Sequence, residues 1–515
     1  MSAQLRTGSW KSLQELKAGY TEAELKFEKI KQGIGLVLGP FLFFLFLLIP
    51  IQGLDYKAKS MLGVCLWTIV WWLSEALPIP VTSLVPVVLV GALGISPPQK
   101  VLNNLGNSTI WMLIGAFIIV QATVKYGLAR RIALTILSSP LIRQSPTRLV
   151  IAFCVAATFL SAFMANIPVC LLMMGMAAGV ADALGLREKD ELTRSMLLGI
   201  AYTSQAGGFI TPIGATGPNF LMITLLATLV GFQLSFPQWV LFGLPLGLVM
   251  LACTVIVLKF HFKQLELKGT DIKLAVEYMR NELVKLGKLS PGERNSLIVF
   301  VLVMVLWLTP GILYLLLGVN DTTKYWDQFL SMERIAIAGA VLLFLIPINF
   351  KERQFTMTWS DAVKGIDVGV LLLLTGGLVL AGGLQDAGLL KMFSDFMSKA
   401  LSSLPHWVIM LSLIIIATFI TQFITNIPCI AMMIPLGVLI AKAVGMNPIA
   451  TAITLGIAAQ QSYATPVCAP NFGLVYSTGE IKMGEFLKVG TYMTIVSIPV
   501  TLGLYYFASM LFPVK

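Results

Sequence analysis

Two twelve-residue stretches carry the residues best suited to chemistry in this chain, ATFLSAFMANIP at 157–168 and ATFITQFITNIP at 417–428. Seven of the twelve positions are identical, among them Asn166/Asn426, Ile167/Ile427 and Pro168/Pro428. In each copy Asn-Ile-Pro stands in the middle of a long apolar run. At membrane depth both residue types are expensive, because Pro leaves a carbonyl without its helical donor and Asn needs partners. The same breach made twice, in two distant parts of one chain, is the pattern of two structural repeats that each supply half of one site. Secondary transporters are built this way.

A second pair of motifs follows the first. QAGGFITPIGATGPN at 205–219 and SYATPVCAPN at 462–471 interrupt apolar segments with glycine and proline, and Thr211-Pro212 and Asn219 match Thr465-Pro466 and Asn471. Such breaks are tolerated in a membrane only where they line a cavity or lie inside protein. The four regions together offer Asn166, Thr211, Thr216, Asn219, Thr425, Asn426, Thr465 and Asn471, with Gln205, Gln422, Gln460 and Gln461 nearby. Amide donors and helix N-termini suit a carboxylate, while unwound carbonyls suit a small cation. Neutral donors also let a dianion leave again, which a buried Arg–carboxylate pair would hinder.

Titratable groups are scarce at membrane depth. Glu75 is the one carboxylate clearly inside an early span, Asp367 lies at a helix end, and His261 and His406 sit at segment edges. Glu75 lies outside the repeated motifs and reads as structural, so a proton-coupled carrier, which needs an intramembrane acid or His, is not expected. There is no HExxH, GxSxG or Asp-rich diphosphate motif, which argues against an intramembrane enzyme. No filter-like stretch marks a channel.

The elements that must position these motifs follow from composition. The 515 residues are 57% hydrophobic and only 12% charged, with mean hydropathy +0.86. A soluble domain carries about 25% charged residues, so this is a polytopic, all-α membrane protein. The net charge of +11 reflects basic loops rather than nucleic-acid binding, and no nucleic-acid partner is expected. The six cysteines sit singly in apolar stretches, with no CxxC spacing.

By hydropathy and loop charge, residues 1–33 form a cytoplasmic amphipathic head and 34–59 a first transmembrane helix with its loop. Residues 60–258 form the first repeat, comprising scaffold helices, a helical hairpin at 149–184 and a broken helix at 195–230. Both flanks of the hairpin are basic, so it enters and leaves on the cytoplasmic side, and each arm is short for a full span, so a re-entrant hairpin with Asn166 near its tip fits better than two short spans. Residues 259–295 form a cytoplasmic linker. Residues 296–515 repeat the plan, with a hairpin at 406–444 and a broken helix at 449–477. An odd number of crossings per repeat inverts the second copy, so the two hairpins approach the midplane from opposite faces.

The motifs resemble those of the divalent-anion/sodium symporters, which carry di- and tricarboxylates. WWLSEALPIPVTSLVPVVLVGALGI at 71–95 looks like that family's second and third helices, GGFITPIGATGPN at 207–219 like its first broken-helix motif, and ATPVCAPN at 464–471 like its second. STGEIKMGEFLKVG at 477–490 resembles the entry to its last helix, and the resemblance runs from about residue 34 to the C-terminus. It implies eleven transmembrane helices, two re-entrant hairpins in two inverted repeats, and a homodimer working as an elevator. It further implies a multi-pass protein of the plasma (inner) membrane, with a cytoplasmic N-terminus and an extracytoplasmic C-terminus.

In that family the hairpin tips carry Ser-Asn-Thr triads that bind carboxylate and help build two sodium sites. The matching positions here are Ala165-Asn166-Ile167 and Thr425-Asn426-Ile427. Both asparagines survive, three hydroxyls are replaced, and Thr425 keeps one. The resemblance therefore implies a substrate site at Asn166, Ile167, Pro168, Thr216, Gly217, Pro218, Asn219, Thr425, Asn426, Ile427, Pro428, Thr465, Pro466 and Asn471. A coupling sodium ion is expected near Asn166, Gly214, Thr425, Asn426 and Ala469, with no other cofactor and no catalytic residue. Because the lost hydroxyls weaken such ion sites, the reading is an exchanger of succinate-, malate- or 2-oxoglutarate-like dianions, with sodium symport as the alternative.

Overall fold

The computed structural model describes residues 22–50, 54–140, 142, 145–263, 272–389, 392–393, 401, 403–466 and 468–513. Residues 1–21 of the expected head, and 264–271 of the expected linker, lie outside the described residues. The described chain is helical apart from one two-stranded antiparallel hairpin, Pro347–Asn349 with Gln354–Phe355. Among the described residues eight helices are long and apolar enough to cross a membrane, or nine if the bent pair Asp321–Phe329 and Met332–Leu345 counts as one span. Five shorter apolar helices make up further arms and half-helices, among them Pro146–Ser161, Thr216–Val230, His406–Ile420 and Pro448–Ala458.

Helix Glu22–Leu48 runs without interruption across the expected boundary at residue 33. Its polar first part and apolar second part are one helix, with Gly39-Pro40 accommodated inside the apolar part. Tyr56–Ser74 also starts earlier than expected. Asp55 accepts from the Ala58 N–H at 2.8 Å and sets its first turn, as an N-cap carboxylate does.

Each hairpin is two antiparallel helices with a short turn. The first joins Pro146–Ser161 to Asn166–Ala183, and the second joins His406–Ile420 to Asn426–Val444. Asn166 and Asn426 are the first residues of their helices. Pro168 and Pro428 thus fall in an opening turn, where the missing N–H has no helical acceptor in any case. The sequence pattern reads them as a costly breach of a helix; the structure uses them as a beginning.

The broken helices divide at the glycine–proline motifs, into Glu191–Ile210 with Thr216–Val230 and Pro448–Ala458 with Pro470–Tyr476. Packing between the repeats is crosswise. Asn166–Ala183 lies against Pro470–Tyr476, and Asn426–Val444 lies against Thr216–Val230. The linker expected at 259–295 also holds a helix, Lys273–Lys285, that hydropathy alone leaves as polar chain.

Glu75, Asp367 and the two histidines have local roles. Glu75 closes Tyr56–Ser74 in the left-handed region at φ 51°, with its N–H on the Trp71 carbonyl. Asp367 accepts from the Val370 N–H at 3.2 Å as an N-cap. His261 Nε2 lies 3.3 Å from Glu485 Oε1, and His406 Nε2 lies 3.1 Å from the Val444 carbonyl.

Candidate functional site

At the first tip, the Ser161 hydroxyl donates to Asn166 Oδ1 at 2.5 Å. At the second, Thr421 Oγ1 lies 3.2 Å from Asn426 Oδ1. Ser161 and Thr421 occupy the same column of the twelve-residue repeat, so the two pairs are symmetry mates. Each hydroxyl comes from the end of a hairpin's first helix and each amide from the start of its second.

More oxygen converges on both pairs. A Cβ placed on Gly214 would lie 2.5 Å from the Ser161 carbonyl oxygen, so the first break passes directly over the end of the first hairpin arm. Around Asn426, Ser462 Oγ donates to Oδ1 at 3.0 Å and Thr421 Oγ1 reaches the Ala459 carbonyl at 2.6 Å. Thr421 has one proton for two acceptors. Neutral oxygens with more lone pairs than protons form a hard-cation environment.

The helix N-termini beside these clusters supply the opposite sign. The first backbone N–H groups of Asn166–Ala183 and Asn426–Val444 have no intrahelical acceptor, and the helix dipole adds partial positive charge there. Groups suited to a cation and groups suited to an anion therefore meet at the same two points. Thr425 sits as N-cap of the second helix without a side-chain cap bond.

The remaining expected residues divide by what their side chains do. Asn219 is fully buried; its Nδ2 donates to the Gly208 and Thr211 carbonyls at 2.8 and 3.1 Å, and its Oδ1 accepts from Gln460 Nε2 at 3.2 Å. Asn471 Nδ2 donates to the Ala201 carbonyl and to Ser204 Oγ, both at 3.2 Å. The Asn219 amide spans the first break, and the Asn471 amide ties the second broken helix to Glu191–Ile210. Thr216 donates to the Ile213 carbonyl at 2.8 Å, and Thr465 donates to the Gln422 carbonyl at 2.6 Å. Thr211 donates in the same way to the Ala162 carbonyl, and Ala162 is the repeat mate of Gln422. Gly214 borders the first cluster; Ala469 is the N-cap of Pro470–Tyr476, and no hydrogen bond joins it to Asn426 among the described contacts.

The tips differ in cover. Ile167 is 38% exposed and Pro168 is exposed, whereas Pro428 is buried and Ile427 half-buried. A Cβ on Gly217 would stand 2.9 Å from Ile427 Cδ1 and 3.3 Å from Val370 Cγ1. The second tip is thus closed against the first broken helix and against Val368–Asp386, while the first is open; Pro218 and Pro466 flank the breaks. Composition and spacing missed Ser161, Thr421 and Ser462 as site oxygens. The matched hydroxyl column at 161 and 421 was the signal available.

This is the architecture of a multi-pass membrane transporter, and the chain belongs to the family described as "Sodium:sulfate symporter transmembrane region", whose model matches residues 31–513. Among curated relatives, it is 30% identical to the "Sodium-dependent dicarboxylate transporter SdcS" of Staphylococcus saprophyticus, over 98% of this chain and 96% of that one. It is 31% identical to the protein of the same name from Staphylococcus aureus, over 92% of this chain and 91% of that relative. Two solved structures share the fold. The Alcanivorax borkumensis YdaH transporter has a TM-score of 0.52 at 12% identity, covering 95% of this chain and 98% of its own. Neisseria gonorrhoeae MtrF, from a class of antimetabolite efflux pumps, has a TM-score of 0.55 at 11% identity, covering 92% of this chain and 93% of its own. The family places the chain among transporters and not enzymes.

Proposed function

We propose that this protein carries dicarboxylates of the succinate, malate and 2-oxoglutarate class across the plasma membrane, coupled to sodium. The observation that carries the proposal is the matched pair of oxygen clusters, Ser161 with Asn166 and Thr421 with Asn426 and Ser462, each beside a helix N-terminus. A sodium ion held by the oxygens would offset the charge of a carboxylate lying against the N–H groups, so ion and dianion favour each other's binding. The relatives named as sodium-dependent dicarboxylate transporters support the same reading.

Exchange, the reading drawn from the altered tips, loses its main support here. Its premise was that too few hydroxyls remain near the asparagines. The side chains of Ser161, Thr421 and Ser462 supply hydroxyls at positions the triads do not include.

Hairpins and broken helices form the moving body in this proposal, sliding in the manner of an elevator against the scaffold helices of a homodimer. The N-terminus lies in the cytoplasm and the C-terminus outside. The test is uptake of radiolabelled succinate and 2-oxoglutarate into proteoliposomes, with an inward sodium gradient or with unlabelled dicarboxylate preloaded inside. Sodium-driven uptake into empty vesicles is the expected result. Uptake that ignores sodium and requires internal dicarboxylate would overturn the coupling and restore exchange.

A further inference from the structure

A side-chain amide can serve a cation only when its oxygen, and not its NH2, faces the ion. At Asn166 that orientation is set from behind. Asn166 Nδ2 donates to Gln205 Oε1 at 3.1 Å, which leaves Oδ1 turned toward Ser161. Gln205 is in turn oriented by its own Nε2, which donates to the backbone carbonyl of Gln460 at 3.0 Å. Gln205 is 1% exposed, and Gln460 is completely buried. Gln205 belongs to the first broken helix and Gln460 to the break of the second, so the groups that aim Asn166 end in the other repeat.

Two residues beyond Gln460 stands Ser462, whose hydroxyl is part of the second oxygen cluster through Asn426. Between them, the Gln461 carbonyl accepts from Gln422 Nε2 at 2.9 Å, and Gln422 Oε1 accepts from the N–H groups of Tyr463 and Ala464 at 3.0 and 2.8 Å. The backbone of 460–464 is held on one side by Gln205 and on the other by Gln422. A stretch pinned this closely passes on any displacement caused by filling either cluster.

We propose that Gln205 is a positioning residue for sodium: it aims the Asn166 amide oxygen at the ion and, through the Gln460 carbonyl, ties the first sodium cluster to the second. The inference rests on the sodium-coupled reading above and adds to it a residue and a consequence. Sodium binding at the two clusters is positively cooperative, because ordering of 460–462 by one ion prepares the other site.

The test is sodium titration of dicarboxylate uptake in proteoliposomes, together with sodium-dependent melting of the purified full-length protein without substrate. Gln205→Met keeps length and bulk but removes both hydrogen bonds. It is expected to raise the sodium half-saturation by about fivefold or more, the worth of one amide hydrogen bond. The steepness of the sodium curve falls toward unity, the melting shift with sodium shrinks, and the maximal rate at saturating sodium stays near that of the unsubstituted protein. Gln205→Glu still accepts from Asn166 Nδ2 but, ionised, cannot donate to the Gln460 carbonyl, so it is expected to recover part of the half-saturation while the steepness of the sodium curve stays near unity. Should Gln205→Met fail to fold, Gln205→Asn, one methylene short of its partners, carries the same expectation. A sodium curve unchanged in Gln205→Met, or a lowered maximal rate with unchanged half-saturation, overturns the proposal. Absence of sodium dependence in the unsubstituted protein overturns the coupled reading beneath it, a result that the first arm of the experiment shows separately.

Discussion

The hydroxyl of Ser161 reaches Asn166 Oδ1 across the turn of the first hairpin at 2.5 Å, and Thr421 repeats the relationship with Asn426 at 3.2 Å. Neither hydroxyl lies in the three-residue tip that draws the eye in the sequence. Removing one should therefore weaken ion binding more than dianion binding. Ser161→Ala and Thr421→Ala are each expected to raise the sodium half-saturation of uptake by roughly tenfold, while Thr421→Ser stays within about twofold, as loss of a single oxygen ligand predicts. Sodium titration at saturating dicarboxylate checks this.

In the proposed site the asparagines join both kinds of binding, so their substitution is expected to be harsher. Asn166→Ala and Asn426→Ala should each abolish uptake while the protein still elutes as a folded species. Asn166→Asp separates the two roles. Its carboxylate favours a cation but repels an incoming dianion at short range. The expected outcome is sodium-dependent stabilisation against melting with little or no transport. Normal uptake by both alanine variants would remove the site from the tips.

Asn219 and Asn471 belong to the framework in this structure. Each is buried; the amide nitrogen of Asn219 bonds two carbonyls across the first helix break, and that of Asn471 bonds the Ala201 carbonyl and Ser204 Oγ of Glu191–Ile210. Truncation of Asn219 to Ala removes this donor from the Gly208 and Thr211 carbonyls, and truncation of Asn471 removes its bonds to Ala201 and Ser204, at a cost of about 1–3 kcal/mol for each residue. Melting temperature should fall clearly, and substrate affinity measured below the new melting point should change little. A large affinity loss at unchanged stability would make these asparagines ligands.

Much of the architecture was legible because membrane burial leaves few choices. Apolar runs, basic loops and twice-broken helices follow from the need to satisfy every backbone group out of water. The hairpins expected at 149–184 and 406–444 fall on helix pairs in the structure, since in apolar runs a helix satisfies the backbone and Asn-Ile-Pro opens the second helix of each pair. The start of the first helix was not legible. Its polar part, from Glu22, joins an apolar continuation, and hydropathy marks only the second. Roles within the site were harder still. Asn219 and Asn166 look alike in sequence, and only the direction of their amides distinguishes a strut from a ligand. Ser161 was passed over because its partner lies five residues on, across a turn whose geometry the sequence does not specify.

The linker helix offers a pH-dependent contact outside the membrane. Glu282 in Lys273–Lys285 is paired with Lys285 and with Arg130 of Leu128–Leu137, both at 2.7 Å. Lys285 foremost, with Arg130 adding to it, holds the Glu282 carboxyl below its ordinary value against the opposing effect of its burial. A depressed carboxylate contributes stability in full above the ordinary carboxylate range and loses it as pH falls through the folded value. Docking of the linker helix on Leu128–Leu137 should therefore weaken below about pH 4. Glu282→Gln should remove that part of the acid response, and proteolysis of the linker at neutral and acid pH measures it.

The contact between Gly217 and Ile427 joins the two halves of the site and closes one of its tips. Because a Cβ on Gly217 would come within 2.9 Å of Ile427 Cδ1, and within 3.3 Å of Val370, alanine must displace the end of the Ile427 side chain, and a larger residue must press on the second hairpin itself. Gly217→Ala displaces a flexible isoleucine end and should slow transport several-fold. Gly217→Val adds two methyls against the Val370 side chain as well, and should stop it. The defect should be steric rather than chemical, so enlarging the space from the other side should relieve it. Combining Gly217→Ala with Ile427→Val is expected to recover most of the rate, a coupling that substitutions acting independently would not show. Uptake rates for the two single variants and the double variant form the cycle that decides it, and simple additivity would mean that this contact does not govern movement at the second tip.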